Sequence, residues 1–486
     1  MTKVPLVSGI SMIYSQALTA CLGIYLARYL GADLYGLVNL ARNLLIIALV
    51  LTPIGLDLAL QRHLSKAGGD IETARAEIAW LRIFAIVVSL VLTLVLFAGG
   101  ADWLEASVFR FPDFAKVFTV TMAALPFGTD LAVLGGAYRG IYRPIPSLTA
   151  TYLVQPSVRA IAVLLLLFSG LSVWAVVWGT LLGFIASWVY LAIKADFDFA
   201  WRGRPLIKVT ASAFQVLRYA PVLGLSTLIF TIARSLDTIA LGYWASSGDV
   251  GRYAAVLMVT LLVGIVGSSL GQTLGTSVAA ASHAGDTGKM AALLRGNMEL
   301  ASILCAPFCV VIAIWGQDID LLLGPSYVID RSVFVVAAAM QWLMAVTHYS
   351  SSALSLTGRH RVELFNNVLA LAVQSAACFL LVPRFGLIGA ATASLISIFV
   401  INVARQIEIA EIVGFMIVGP RLFFPLLVAL IAAVPLVFVG QAAGIRTWWL
   451  TGLLAGVHVT LYCGTVFAFL LTPEQRKQLR HYVKRP

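Results

Sequence analysis

Long apolar runs separated by short polar turns follow one another along all 486 residues of the chain. A helix needs about 20 mostly apolar residues to cross a bilayer. Read with that ruler, the sequence predicts fourteen transmembrane helices, at roughly 5–27, 35–60, 78–98, 114–137, 147–169, 171–193, 217–242, 250–274, 297–316, 332–354, 363–383, 387–404, 421–440 and 447–471. The first run lacks the basic flank and small-residue cleavage site of a signal peptide, so it counts as a span. Pro53, Pro126, Pro156, Pro221, Pro307 and Pro435 fall inside these runs, where a missing N–H kinks or breaks a helix. The predicted class is an all-α polytopic membrane protein.

The pattern recurs at long range. "YGLVNLARNLLIIALV" at Tyr35 and "VGRYAAVLMVTLLVGIV" at Val250 each open on a turn glycine, and the polar loops that follow close on Asp70 and Asp286. "GIYR" at 140–143 matches "GRHR" at 358–361, and Gly170–Leu171 matches Gly386–Leu387. The offsets lie between 215 and 218, which predicts an internal duplication. An even number of spans gives both halves the same orientation, as in parallel repeats. The expected layout is two six-helix lobes around a central cavity, at 1–193 and 217–404, with two further helices at 405–471. A cytoplasmic amphipathic linker at 194–216 joins the lobes, and a basic cytoplasmic tail occupies 472–486.

Composition agrees with the pattern: 60% of residues are hydrophobic and 11% charged, against about 25% charged in soluble domains. The net charge of +11 is a topology signal. With the N-terminus inside, 22 Lys and Arg fall in cytoplasmic segments and 7 in outer ones. That is the positive-inside bias, and it predicts two cytoplasmic termini and affinity for anionic lipids, with no nucleic-acid partner. Trp103, Trp244, Trp315, Trp448 and Trp449 fall at outer boundaries, as an interfacial belt does. The cysteines (Cys21, Cys305, Cys309, Cys378 and Cys463) have neither disulfide nor zinc spacing, and no cofactor is expected.

The remaining four basic residues, Arg42, Arg82, Arg159 and Arg234, lie inside spans. A charge at the bilayer centre costs from about 2.5 to over 10 kcal/mol, so such residues face a cavity or a partner. Arg42, flanked by Asn39 and Asn43, sits about 10 Å from the outer end of its span. Arg159 and Arg234 also fall in outer halves, so the three arginines and two asparagines predict a polar, substrate-binding cavity. Asp57, Asp130 and Asp237 are candidates for ion binding or pairing, Asp237 being spaced to pair with Arg234. Arg82, near the inner end of span 3, is expected to snorkel to the headgroups. "GDTGK" at 285–289 lacks P-loop spacing. Asp196–Asp198 and Asp318–Asp320 sit in loops too short for a nucleotide-sugar domain, and the reading is a transporter, not an enzyme. His348 and His458 fall within spans and are read as hydrogen-bonded core histidines.

"RYLGADLYG", Arg28 to Gly36, resembles the turn after the first span of polysaccharide-biosynthesis flippases. "LDTIALGYWASSGDVGRYAA", Leu236 to Ala255, resembles the turn after their seventh span, with Ser246 where a second glycine is usual. These flippases belong to the multidrug/oligosaccharidyl-lipid/polysaccharide exporter superfamily. The resemblance implies a bacterial inner-membrane, multi-pass flippase that moves undecaprenyl-diphosphate-linked oligosaccharide by alternating access. Proton or sodium coupling is implied, as is a partnership with polymerase or export machinery. A lipid II flippase and a multidrug or metabolite antiporter of the same superfamily are the alternatives. A membrane glycan polymerase is disfavoured, because the longest outer loop has roughly 15 residues, too short for its catalytic groups.

Overall fold

The computed structural model describes residues 3–66, 71–199, 211–356, 359–443 and 447–466. Among these every regular element is helical. We number the main helices α1 (Lys3–Leu51), α2 (Leu56–Lys66), α3 (Ile71–Val95), α4 (Phe114–Met122), α5 (Leu125–Gly140), α6 (Gln155–Phe168), α7 (Ser172–Phe199), α8 (Ala211–Trp244) and α9 (Ser247–His283). Further along lie α10 (Thr287–Trp315), α11 (Arg331–Leu356), α12 (His360–Val413), α13 (Phe424–Ala443) and α14 (Trp448–Thr465). At the two ends of the predicted linker, 194–199 extend α7 and 211–216 open α8. The linker's middle, Trp201 included, the Gly68–Asp70 loop and the 472–486 tail lie outside the described residues.

Among the described residues, nine helical stretches are long and apolar enough to cross a membrane. Two of them, Gly9–Lys66 with 58 residues and Arg361–Val413 with 53, exceed twice the length of one crossing. Each is interrupted at a glycine, Gly31 (φ 73°) in α1 and Gly386 (φ 54°) in α12, a backbone region that side chains with a Cβ rarely enter. Gly170, the residue 216 positions before Gly386, also turns at positive φ, 85°.

The chain packs as two units, Met1–Ala254 with Cys378–Gly386 and Ala255–Ala377 with Leu387–Pro486. In the first, α2 buries Leu56, Ala59, Leu60 and Leu64, the stripe that a 3.6-residue period makes. That stripe joins Ile78, Leu81 and Ala85 of α3, Leu134, Ala137 and Tyr138 of α5, and Val216 and Ala220 of α8 in one core. In the second unit, Ala306 and Val310 of α10 pack with Ala429 and Ala433 of α13 and Tyr462 of α14. The outer surface inverts the rule of water-soluble proteins: Phe168, Leu94, Ile431 and Phe438 are all exposed, as lipid-facing residues are.

The prolines divide into two groups. Pro53 sits in the break at 52–55 between α1 and α2, Pro126 in the first turn of α5, and Pro156 in the first turn of α6 after a π-helical turn at Ala150–Val154. Pro221, Pro307 and Pro435 lie inside continuous helices. The break at 52–55 sits deep in an apolar segment, where free backbone groups need internal partners. The turn supplies them: the Ile54 N–H donates to Leu51 O at 3.1 Å and the Leu56 N–H to Pro53 O at 2.8 Å, while Thr52 Oγ1 contacts Thr129 Oγ1 at 2.6 Å. Gly55 (φ 76°) and Gly224 of α8 pack backbone to backbone here, with no room for a Cβ on either.

Candidate functional site

Arg42 and Arg159 come together inside the first unit. They lie 117 positions apart in the sequence, on α1 and α6. The two guanidiniums are near enough for their charges to act on each other, and the Tyr35 phenol lies within the same reach. Tyr35, Asn39 and Arg42 share one helix face by their spacing of four and three. Asn39 Nδ2 donates to Tyr35 O at 2.8 Å and Asn43 Nδ2 to Asn39 O at 2.9 Å, so both amides turn their N–H groups back onto α1. Arg159 is 9% exposed, and its Nε is buried without a hydrogen-bond partner. Among the described residues neither guanidinium has an ion pair.

The seat of Arg159 comes from α7. "GTLLG" at 179–183 places two glycines four residues apart on one face. They pack against Val163 and Arg159, themselves four apart on α6. A Cβ added at Gly183 would lie 2.9 Å from Arg159 Cβ and 2.9 Å from Gln155 O. Small residues at this spacing let two helix backbones approach closely in lipid. α5 repeats the device: Gly136 and Gly140 pack on Asp57 and Gln61 of α2.

The other predicted site residues stand elsewhere. Arg234 makes no direct ion-pair contact with Asp237, although that carboxylate is near enough to act on its charge; the guanidinium lies over the Phe230 ring, 5.8 Å from the centroid. Asp237 instead accepts from Tyr253 Oη at 2.7 Å and from the Thr238 N–H at 2.6 Å, because the phenol of α9 reaches the carboxylate in a site closed to water. Arg82 does not snorkel. Its Nε and Nη2 donate to Asp130 Oδ1 and Oδ2 at 2.7 and 2.6 Å, and Trp188 Nε1 donates to the same carboxylate at 2.8 Å. Asp130 is fully buried, so a bidentate partner one helix away wins over a reach to the headgroups. Asp57 faces Arg139, 3.5 Å away, which also donates to Gln61 Oε1 at 3.0 Å.

Polar groups that the sequence left open are also engaged. Asp198 accepts from Tyr138 Oη at 2.8 Å and Asp318 from Thr451 Oγ1 at 2.9 Å. His458 is fully buried, with the Ala432 backbone as the hydrogen-bonding group facing its imidazole. It also lies against the Trp315 ring. In the second unit Arg405 and Glu363 form a buried bidentate pair that Ser351 supports through Glu363 Oε1. Among the described residues no group of three or more His, Cys, Asp or Glu is placed to hold a metal ion.

The site therefore has a sign: its carboxylates are engaged, and two of its guanidiniums are not. A family model described as polysaccharide biosynthesis protein matches residues 5–274, more than half of the chain and all of the arginine site. The chain belongs to this family. Two relatives in Haloferax volcanii carry related names. One, "Probable flippase AglR", is 24% identical over 243 residues, 48% of either chain. The other, "Probable low-salt glycan biosynthesis flippase Agl15", is 20% identical over 239 residues, 49% of either chain. The match thus spans about half the length of these curated relatives. Among solved structures, the lipid II flippase MurJ superposes with a TM-score of 0.74 at 14% identity, over 95% of this chain and 98% of its own. An inward-facing multidrug transporter of the MATE family gives 0.66 at 15% identity, over 84% and 98%. At such identity the likeness is one of fold, shared by these exporters and this family member.

Proposed function

We propose that the protein is a flippase that carries a lipid-linked oligosaccharide across the cell membrane by alternating access. The observation that carries this reading is the pair Arg42–Arg159. Two like charges held together in an apolar segment repel each other and are poorly solvated, and an anion relieves both penalties. A phosphate or diphosphate headgroup suits the pair, since each guanidinium offers a permanently charged fork of N–H donors. Asn39 and Asn43, which flank Arg42, keep their amide oxygens for sugar hydroxyls. A cationic drug fits less well, because Asp57, Asp130 and Asp237 already have partners. Arg234, apart from the pair, is assigned a peripheral contact.

Further proposals rest on sequence pattern: fourteen spans, duplicated lobes at 1–193 and 217–404, both termini cytoplasmic, and a polyprenyl diphosphate of the undecaprenyl type as carrier. Proton or sodium coupling and a polymerase partner belong to the same reading. Reporter fusions after Gly68 and after Gly324 test the topology by opposite sidedness. The site is tested by glycan export in cells that depend on this protein. Arg42→Ala and Arg159→Ala should each abolish export at unchanged abundance, and lysine should rescue in part, keeping charge and losing the fork. Normal export by both alanine variants would sink the assignment.

A further inference from the structure

A second cationic site lies at the far end of α2 from the 52–55 break. Arg62, His63 and Lys66 line a pocket of about 480 Å³ together with Gln215, Tyr219 and Val222 of α8. That volume is in the range that takes a small ligand. Arg62 and Lys66 are four apart, hence on one helix face, and like charges so placed repel. Among the described residues neither has an ion pair or a hydrogen bond. The Glu77 carboxylate is already engaged: His63 Nε2 meets Glu77 Oε2 at 3.1 Å. Tyr219 is fixed by donating to Ala59 O, so it walls the pocket without neutralising it.

The opposite wall is apolar, and Val222 is 68% exposed on a helix long enough to cross the membrane. We propose that this pocket binds the phosphate group of an anionic amphiphile, with the head on Arg62, Lys66 and Gln215 and the chain along Val222. A Lys at a helix C-terminus also offsets the helix dipole. That role explains Lys66 alone; it explains neither Arg62 nor the shared pocket. The site stands on residues separate from Arg42 and Arg159 and does not depend on what those two bind.

The test uses the full chain in phosphatidylcholine nanodiscs, titrated with fluorescent phosphatidic acid. Arg62→Gln with Lys66→Gln should weaken binding roughly thirtyfold, the size expected for losing two cations at a membrane surface. The charge-preserving Arg62→Lys with Lys66→Arg should bind as wild type does. In an Arg42→Ala, Arg159→Ala background the two glutamine substitutions should cause the same loss, which separates this site from the transport site. Excess inorganic pyrophosphate identifies the source: no displacement means that a lipid headgroup is read, and displacement means that a soluble phosphate suffices. Unchanged binding in the glutamine variant overturns the proposal. So does an equal loss from Lys289→Gln with Arg361→Gln, since two cations of the second unit, outside this pocket, would then serve as well.

Discussion

Replacing Asp130 by alanine strands the Arg82 guanidinium. In the native protein that guanidinium is 15% exposed and makes two short bonds to a carboxylate that is itself fully buried. Trp188 loses its acceptor in the same stroke. Breaking one side of a buried ion pair costs about 3–5 kcal/mol, most of it from the charge left behind. For a cooperative unit of this size each kcal/mol lowers the melting temperature by about 2–4 °C, so the loss is roughly 6–20 °C. Removing both charges, with Arg82→Leu and Asp130→Ala together, should restore much of that, with a coupling of about 2–3 kcal/mol in the double-mutant cycle. The assay is thermal unfolding of purified protein in detergent, followed by tryptophan fluorescence. If Asp130→Ala melts like wild type, or if the double variant is no better than the single, the pair does not hold α3 to α5. Asp130 would then be free for ion binding.

Other expectations follow from the same packing. Gly183→Ala forces a Cβ against Arg159 Cβ and Gln155 O; overpacking of this kind costs about 1–3 kcal/mol, seen as a lower melting temperature. Gly452→Ala, with open space around it, is the control and should melt as wild type does. Tyr253→Phe removes a donor from the buried Asp237 carboxylate, a loss of about 1–3 kcal/mol readable in the same melt. Arg234→Ala should reduce export far less than Arg159→Ala, because its guanidinium is exposed over Phe230 and apart from the pair.

The helices were legible because each apolar run is a bilayer long and ends in turn residues such as Gly31 and Gly386. Individual charges in lipid were also conspicuous, which is why Arg42 and Arg159 stood out. Their partners were not legible. Arg82 and Asp130 are 48 positions apart on different helices, and no local spacing reveals the bond between them. Spacing misled at Arg234 and Asp237: three residues apart on one helix permits a pair, and Tyr253 from the next helix took the carboxylate instead. The seat of Arg159 left a visible trace, the two glycines of "GTLLG" at 179–183, but only the fold shows which side chain they make room for.

The central claim is that Arg42 and Arg159 together hold the phosphate of a lipid-linked glycan during its passage. Its most direct measurement is translocation of a fluorescent polyprenyl-diphosphate oligosaccharide in proteoliposomes containing the purified full chain. Wild type should move the label between leaflets. Arg42→Ala, Arg159→Ala and the double variant should all be equally inactive, because each guanidinium alone leaves the headgroup half held. Translocation by the double variant at the wild-type rate would contradict the account.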